Sequence, residues 1–116
     1  MKDPVQATVC GEIAVLVLDR PKAFNAFDLD TITIFADHLI NLAGDETVRG
    51  VVISGAGKVF CAGGDLKWVN SWPQGAPSAF HNLAARYHQS IVEIRRMKKP
   101  VIAAINGIAA GGGFSL

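Results

Sequence analysis

Two glycine-rich loops carry the residues best suited to chemistry, Ala62-Gly63-Gly64-Asp65 and Gly111-Gly112-Gly113. The first follows the short apolar run Val59-Phe60-Cys61. The second follows Val101-Ile102-Ala103-Ala104-Ile105 and then Asn106-Gly107-Ile108-Ala109-Ala110. A buried strand that opens into glycines presents bare backbone N–H groups where a ligand can approach. That is how an oxyanion hole or an anion cradle is built. Glycine allows an approach that a Cβ would block. In parallel α/β sheets, ligands gather near the carboxyl ends of the strands, so the two loops can face one another. Two N–H groups aimed at one oxygen would stabilise a developing enolate or tetrahedral anion. Losing one such donor costs about 2.7–4 kcal/mol of transition-state stabilisation. The alternative for either loop is a tight turn without a ligand.

Three side chains are candidate partners for such a site. Ser115 could position a water or a substrate, but it is a poor base without a partner; otherwise it is an ordinary residue of a first helical turn. His88 lies on a half-apolar helix face and is either a base or a packed, hydrogen-bonded histidine. Asp65 is either a carboxylate that stabilises its turn or a contact near a ligand. Cys10 and Cys61 lie far apart without metal-ligand spacing, so reduced thiols of a cytoplasmic protein are expected, and no metal. Gly55 and Gly57 are followed by Phe60 where a dinucleotide fingerprint needs its third glycine, and no Gly-Lys-Ser/Thr closes a phosphate loop.

Bulk properties narrow the class. The chain has 116 residues, enough for one domain at most, and half of them are hydrophobic. The net charge is +1, and no basic run exceeds a pair, which gives no case for nucleic acid. Arg95-Arg96 and Lys98-Lys99 read as the C-terminal end of a helix, where positive charge suits the macrodipole. No apolar run approaches the roughly 18 residues that span a bilayer. The opening Met1-Lys2-Asp3-Pro4 shows no signal-peptide pattern.

The periodicity supplies the elements that must position the loops. Val5 to Cys10 and Glu12 to Leu18, separated by Gly11, read as a hairpin that Pro21 terminates. From Asp28 the apolar residues Leu29, Ile32, Phe35, Leu39 and Leu42 recur at helical spacing. Asn25 or Asp28 is the candidate cap, and Gly44-Asp45 the end. Gly50 to Ser54 is apolar throughout and predicts a strand buried on both faces. A turn at residues 55–58 and a run out to Leu66 follow. Ser71 to Pro77 reads as a surface loop. A second long helix is predicted from about Ser78 to Met97, with Phe80, Leu83, Tyr87, Ile91 and Ile94 on one stripe. Val101 to Ile105 is predicted as a further buried strand. Alternating strands and helices define an α/β fold.

Three separated segments, taken in order, resemble the crotonase superfamily, the enoyl-CoA hydratase/isomerase group. They are Leu18-Asp19-Arg20-Pro21-Lys22-Ala23-Phe24-Asn25-Ala26-Phe27, Phe60-Cys61-Ala62-Gly63-Gly64-Asp65-Leu66, and Lys99-Pro100-Val101-Ile102-Ala103-Ala104-Ile105-Asn106-Gly107 with the triple glycine. The resemblance implies a ββα-spiral fold, incomplete here, with residues 1–116 as the N-terminal part of a single domain. It implies an acyl-CoA thioester substrate, with CoA as part of that substrate and no separate cofactor. It also implies an oxyanion hole for the thioester carbonyl, with the N–H groups of Gly64 and Gly112 as donors and Gly112 at a helix N-terminus. Lys22, Ala23 and Phe24, together with Ala62, Gly63, Gly64, Asp65 and Leu66, would line the CoA site; Gly111 would border it beside Gly112. Full-length members commonly form trimers or dimers of trimers.

The sequence departs from the hydratase pattern at one position. Hydratases of the family carry a catalytic glutamate two residues after the triple glycine, where Ser115 stands here, and a second family glutamate would lie beyond residue 116. Hydration, double-bond isomerisation or a related enolate step is the expected reaction. Tyr87-His88-Gln89 also resembles the aromatic-His-Gln segment of the 4-chlorobenzoyl-CoA dehalogenases, which makes a dehalogenase-like or hydrolase-like reaction through His88 one alternative. A non-catalytic CoA-ester-binding homologue is another. Expressed as these 116 residues only, the chain is expected to be inactive and poorly stable or self-associated, because it buries less surface than a whole domain and leaves sheet edges open. A cooperative thermal melt together with hydratase activity would contradict this.

Overall fold

The computed structural model describes residues 3–116; Met1 and Lys2, on which part of the signal-peptide reading rests, lie outside them. β1 (Val5–Cys10) and β2 (Ile13–Leu18) form the expected hairpin, with Val5 opposite Leu18 and Cys10 opposite Ile13. Gly11 turns it at φ +64°, a left-handed geometry that suits glycine. β2 pairs in parallel with β3 (Gly50–Gly55), and β3 with β5 (Val101–Ala103), giving a four-stranded sheet in the order β1-β2-β3-β5. Parallel neighbours require crossovers. The first is α1 (Leu29–Gly44). The second runs through β4 (Val59–Cys61), α2 (Leu66–Ser71) and α3 (Ala76–Arg96). β6 (Ile108–Ala109) then pairs in parallel with β4 as a separate two-stranded sheet, and α4 (Gly112–Ser115) follows.

The core forms where the two periodicities meet. Ala14, Leu16 and Leu18 of β2 and Val51 and Ile53 of β3 turn inward, and Ile32, Phe35, Ala36 and Leu39 of α1 are buried with them. Asp28 is the cap of α1: its side chain accepts the N–H of Thr31 at 2.8 Å. Asn25 has a different task. It sits at φ +54° and is 1% exposed; its amide nitrogen donates to the carbonyls of Ala56 at 3.0 Å and Val59 at 2.7 Å, while its oxygen accepts the N–H of Arg20 at 2.8 Å. Asn106 reaches the same turn from the other side, donating to the carbonyls of Gly57 at 3.0 Å and Val59 at 3.3 Å and accepting the N–H of Gly55 at 3.0 Å.

Several expectations are corrected. The strand read as Val101 to Ile105 ends at Ala103 and is not buried: Ile102 is 58% and Ile105 62% exposed. It is an edge strand among the described residues, and apolar composition alone does not distinguish an edge from a centre. β3 is buried at Val51 and Ile53 but only half-buried at Val52, so one face is closed rather than two. Part of the region read as a lead-out and loop is the short helix α2, capped by Asp65. Pro77 belongs to the first turn of α3, where a missing N–H costs nothing, so α3 starts at Ala76 rather than near Ser78. The buried side of α3 is Ala79, Leu83, Ser90 and Glu93, and Phe80 is 47% exposed. Lys99 does not close α3: its ammonium donates to the carbonyls of Leu42 and Asp45 at the end of α1.

Asn25 therefore ties the chain after β2 to the turn before β4. Asn25→Ala is expected to destabilise the protein by about 2–4 kcal/mol, through the lost buried hydrogen bonds and the left-handed backbone it leaves to alanine. Chemical denaturation measures this. Asn25→Asp, which sets a carboxylate against two carbonyl oxygens, is expected to be worse.

Candidate functional site

The two glycine loops leave from the same end of one small sheet. Val59 lies beside Ile108 and Cys61 beside Ala109, with an irregularity between them, and the N–H of Ala110 donates to the Cys61 carbonyl at 3.0 Å. This pairing requires a close backbone approach twice. A Cβ on Gly113 would strike the Cys61 carbonyl, and one on Gly107 would strike the Lys58 carbonyl. A Cβ on Gly63 would come within 3.0 Å of both the Ala110 oxygen and the Gly112 nitrogen. The loop after β4 thus lies directly on the loop after β6.

The first loop is stitched to the segment before α1. Ala62 donates to the Phe24 carbonyl at 3.1 Å, Phe27 donates to the Gly63 carbonyl at 2.7 Å, and Asp65 donates to the Phe27 carbonyl at 2.9 Å. Phe27 and Gly64 therefore form a parallel bridge in which residues 63 and 65 face Phe27 and the N–H of Gly64 points away from it. Among the hydrogen bonds of the described residues, neither the Gly64 N–H nor the Gly112 N–H has a protein acceptor. Gly112 is the first residue of α4, as expected.

Gly64 and Gly112 border one hollow of about 250 Å³, whose other walls are Phe80, Leu83, Ala84 and Tyr87 of α3. Of the stripe predicted on this helix, Leu83 joins the core and Tyr87 packs against it, and both also wall this hollow. The Tyr87 hydroxyl donates to the Gly112 carbonyl at 2.7 Å. Burial raises the Tyr87 phenol above its ordinary value, helped by the neighbouring Cys61. Burial also pushes the Cys61 thiol up to about 11, against a smaller lowering by the Gly63 N–H, so Cys61 is no nucleophile at neutral pH. Both cysteines are free, as expected, and only Cys10 is exposed.

Asp65 turns away from the hollow. Its carboxylate accepts the N–H of Trp68 at 3.1 Å as the cap of α2 and takes the Arg20 guanidinium at 3.0 Å; Arg20 also lies 3.3 Å from Asp28 and donates to the Ala26 carbonyl at 2.6 Å. One arginine thus joins the caps of α1 and α2. The turn-stabilising reading of Asp65 is the one this geometry supports. In the sequence Arg20 stands only within a motif, because nothing in the spacing says that Asp28 and Asp65 converge on it.

The remaining candidates are spread more widely. Lys22 and Ala23 border a second hollow with Arg20 and Pro21, in a 3₁₀ turn at Pro21–Ala23. Phe24 follows at φ +55°, 61% exposed, and Leu66 is 64% exposed. Gly111 holds φ +53° at the entrance to α4. His88 is exposed and borders a separate hollow with Asn82, Ala85, Arg86, Gln89 and Val92, so it is not brought to Gly64 and Gly112. Ser115 is exposed and does not border the 250 Å³ hollow. No group of three or more His, Cys, Asp or Glu side chains able to hold a metal occurs among the described residues, and no described helix is long and apolar enough to cross a membrane.

The chain is similar to known proteins of one family. A family model for enoyl-CoA hydratase/isomerase matches residues 9–116. The chain is 36% identical to 1,2-epoxyphenylacetyl-CoA isomerase of Escherichia coli, over 90% of this chain and 40% of that protein. It is 39% identical to carnitinyl-CoA dehydratase of Proteus mirabilis, over 100% of this chain and 43% of that protein. The structure of an enoyl-CoA hydratase from Polaromonas sp. JS666 superimposes with a TM-score of 0.86 at 36% identity, covering 96% of this chain and 43% of that one. The α/β crotonase-like fold expected from the sequence is shared with these structures, and the chain spans about two fifths of the length of its curated relatives.

The Asp65 carboxyl is held below its ordinary value. Burial alone would raise it, but the Trp68 N–H, the Arg20 guanidinium and the Lys67 N–H together outweigh burial. A lowered carboxyl contributes stability above its unfolded value, and that contribution disappears as pH falls through the folded one. Asp65→Asn keeps a cap but loses the charge. It is expected to cost about 1 kcal/mol at pH 7, since the pair with Arg20 is partly screened, and the difference from wild type is expected to close below about pH 4. Thermal melts across that range measure it.

Proposed function

The chain belongs to the enoyl-CoA hydratase/isomerase family, and on that premise we propose that it forms part of an enzyme that acts on acyl-CoA thioesters. The N–H groups of Gly64 and Gly112 receive the thioester oxygen and stabilise the enolate that forms when a proton leaves the carbon next to the carbonyl, or when a nucleophile adds to the β-carbon of an α,β-unsaturated thioester and the C=C electron pair shifts toward that oxygen. One observation carries the reading: the two glycines border the same apolar hollow, and neither N–H is engaged by another described group. In an apolar surrounding a hydrogen bond to a developing oxyanion gains more than it would in water. The acyl group lies along Phe80, Leu83, Ala84 and Tyr87. The CoA moiety runs past Ala62 to Leu66 and past Lys22, Ala23 and Phe24.

The reaction is hydration, double-bond isomerisation or a related enolate step. Ser115 leaves the acid–base work to other groups, as a serine hydroxyl without a partner base transfers protons poorly. The His88-dependent alternative lacks comparable support, because that imidazole borders a different hollow. We extend the proposal to a cytoplasmic enzyme that needs no cofactor beyond the CoA of its substrate. Its domain includes residues 1–116 as an N-terminal part, and it assembles as a trimer or a dimer of trimers when full length.

Turnover of crotonyl-CoA and a panel of other acyl-CoA esters by the full-length protein tests the reading. Tight ester binding with no turnover across the panel would sink it in favour of a binding protein. Gly112→Pro, which deletes the proposed donor, is expected to lower kcat roughly 10²- to 10³-fold. His88→Ala is expected to leave the rate unchanged; a large loss would revive the dehalogenase-like alternative.

A further inference from the structure

Three consecutive glycines have no side chains with which to fix their own backbone, and glycine dihedrals are the softest in a chain. A hydrogen-bond donor for an oxyanion nevertheless works only when held to a fraction of an ångström. The Gly111-Gly112-Gly113 segment must therefore be held from outside. Cys61 holds it on one side, through the Ala110 N–H and the backbone contact with Gly113. Tyr87 holds it on the other. Its hydroxyl donates to the Gly112 carbonyl at 2.7 Å, and its ring lies 3.2 Å from the place a Gly112 Cβ would occupy.

The same ring also reaches the first loop. It meets Phe27 nearly edge-on, with centroids 6.1 Å apart. The backbone of Phe27 straddles Gly64, donating to Gly63 at 2.7 Å and accepting from Asp65 at 2.9 Å. We propose that Tyr87 is a positioning residue that sets the Gly64 and Gly112 N–H groups relative to one another, its hydroxyl fixing the second loop and its ring, through Phe27, the first. The proposal rests on the oxyanion reading given above. A phenol is protonated at working pH and burial raises this one further, so the hydroxyl remains a donor.

The test uses the full-length protein and cinnamoyl-CoA, whose acyl group is conjugated to the thioester carbonyl and absorbs at longer wavelength when that carbonyl is polarised. Wild type is expected to red-shift the bound ester. Tyr87→Phe keeps the ring and its packing, so its melting temperature should stay close to that of wild type. It is expected to lose at least about half of the red shift, and kcat on a turned-over thioester is expected to fall roughly 10- to 100-fold with KM within about twofold. A purely structural tyrosine would lower the melting temperature without changing the shift. A full wild-type shift in Tyr87→Phe overturns the role of Tyr87 and leaves the oxyanion reading standing. No shift in wild type overturns the oxyanion reading, and the proposal with it.

Discussion

The contact on which the site depends is the approach of the Cys61 carbonyl to the start of the last helix. That oxygen accepts the Ala110 N–H at 3.0 Å, and the Cα of Gly113 occupies ground that no larger residue could share with it. β4 and β6 contribute only short strands, so their pairing draws little from ladder length. It is held by backbone-to-backbone fit, and the fit exists because glycines stand at 63, 107 and 113. The hydrogen-bonding side of the hollow follows, since the two loops that border it are the continuations of these two strands.

Beyond the apolar packing of Phe60, Cys61 and Ala109, polar side chains brace this contact. The Val59 carbonyl receives amide hydrogens from both Asn25 and Asn106. Arg20 gathers Asp28 and Asp65, and with them the caps of α1 and α2. No buried side-chain nitrogen or oxygen among the described residues lacks a partner. A polar framework of this kind specifies one arrangement because each alternative leaves a buried group unsatisfied. The apolar core, one cluster that runs from Leu16, Leu18, Phe35 and Ile53 to Phe60 and Cys61, supplies bulk stability but does not by itself set the loops' separation.

The sequence made much of this legible where periodicity or a local rule applied. The β1–β2 hairpin, α1 with Asp28 among its candidate caps, and the two glycine loops could be read from spacing, because each depends on residues close together in the chain. What escaped depends on residues brought together from afar. Asn25 was weighed as a helix cap, yet its partners lie on the turn before β4. Phe80, Leu83 and Tyr87 share one stripe by their helical period, but that they also border backbone glycines is invisible there, since glycines carry no hydrophobic signal. Ile102 looked interior because an edge strand and a central one share the same composition. Arg20 had no visible task, since the convergence of two distant carboxylates is a property of the fold alone.

The hollow joins two kinds of wall. On one side stand peptide N–H groups, which an ordinary side-chain exchange does not remove. On the other stand Phe80, Leu83, Ala84 and Tyr87 on a single helix, each open to replacement by one codon change. Such a division lets the shape of the hollow drift through mutation while its hydrogen-bonding end stays constant. A lineage built on this plan can try new occupants one residue at a time without first dismantling what all of them would share.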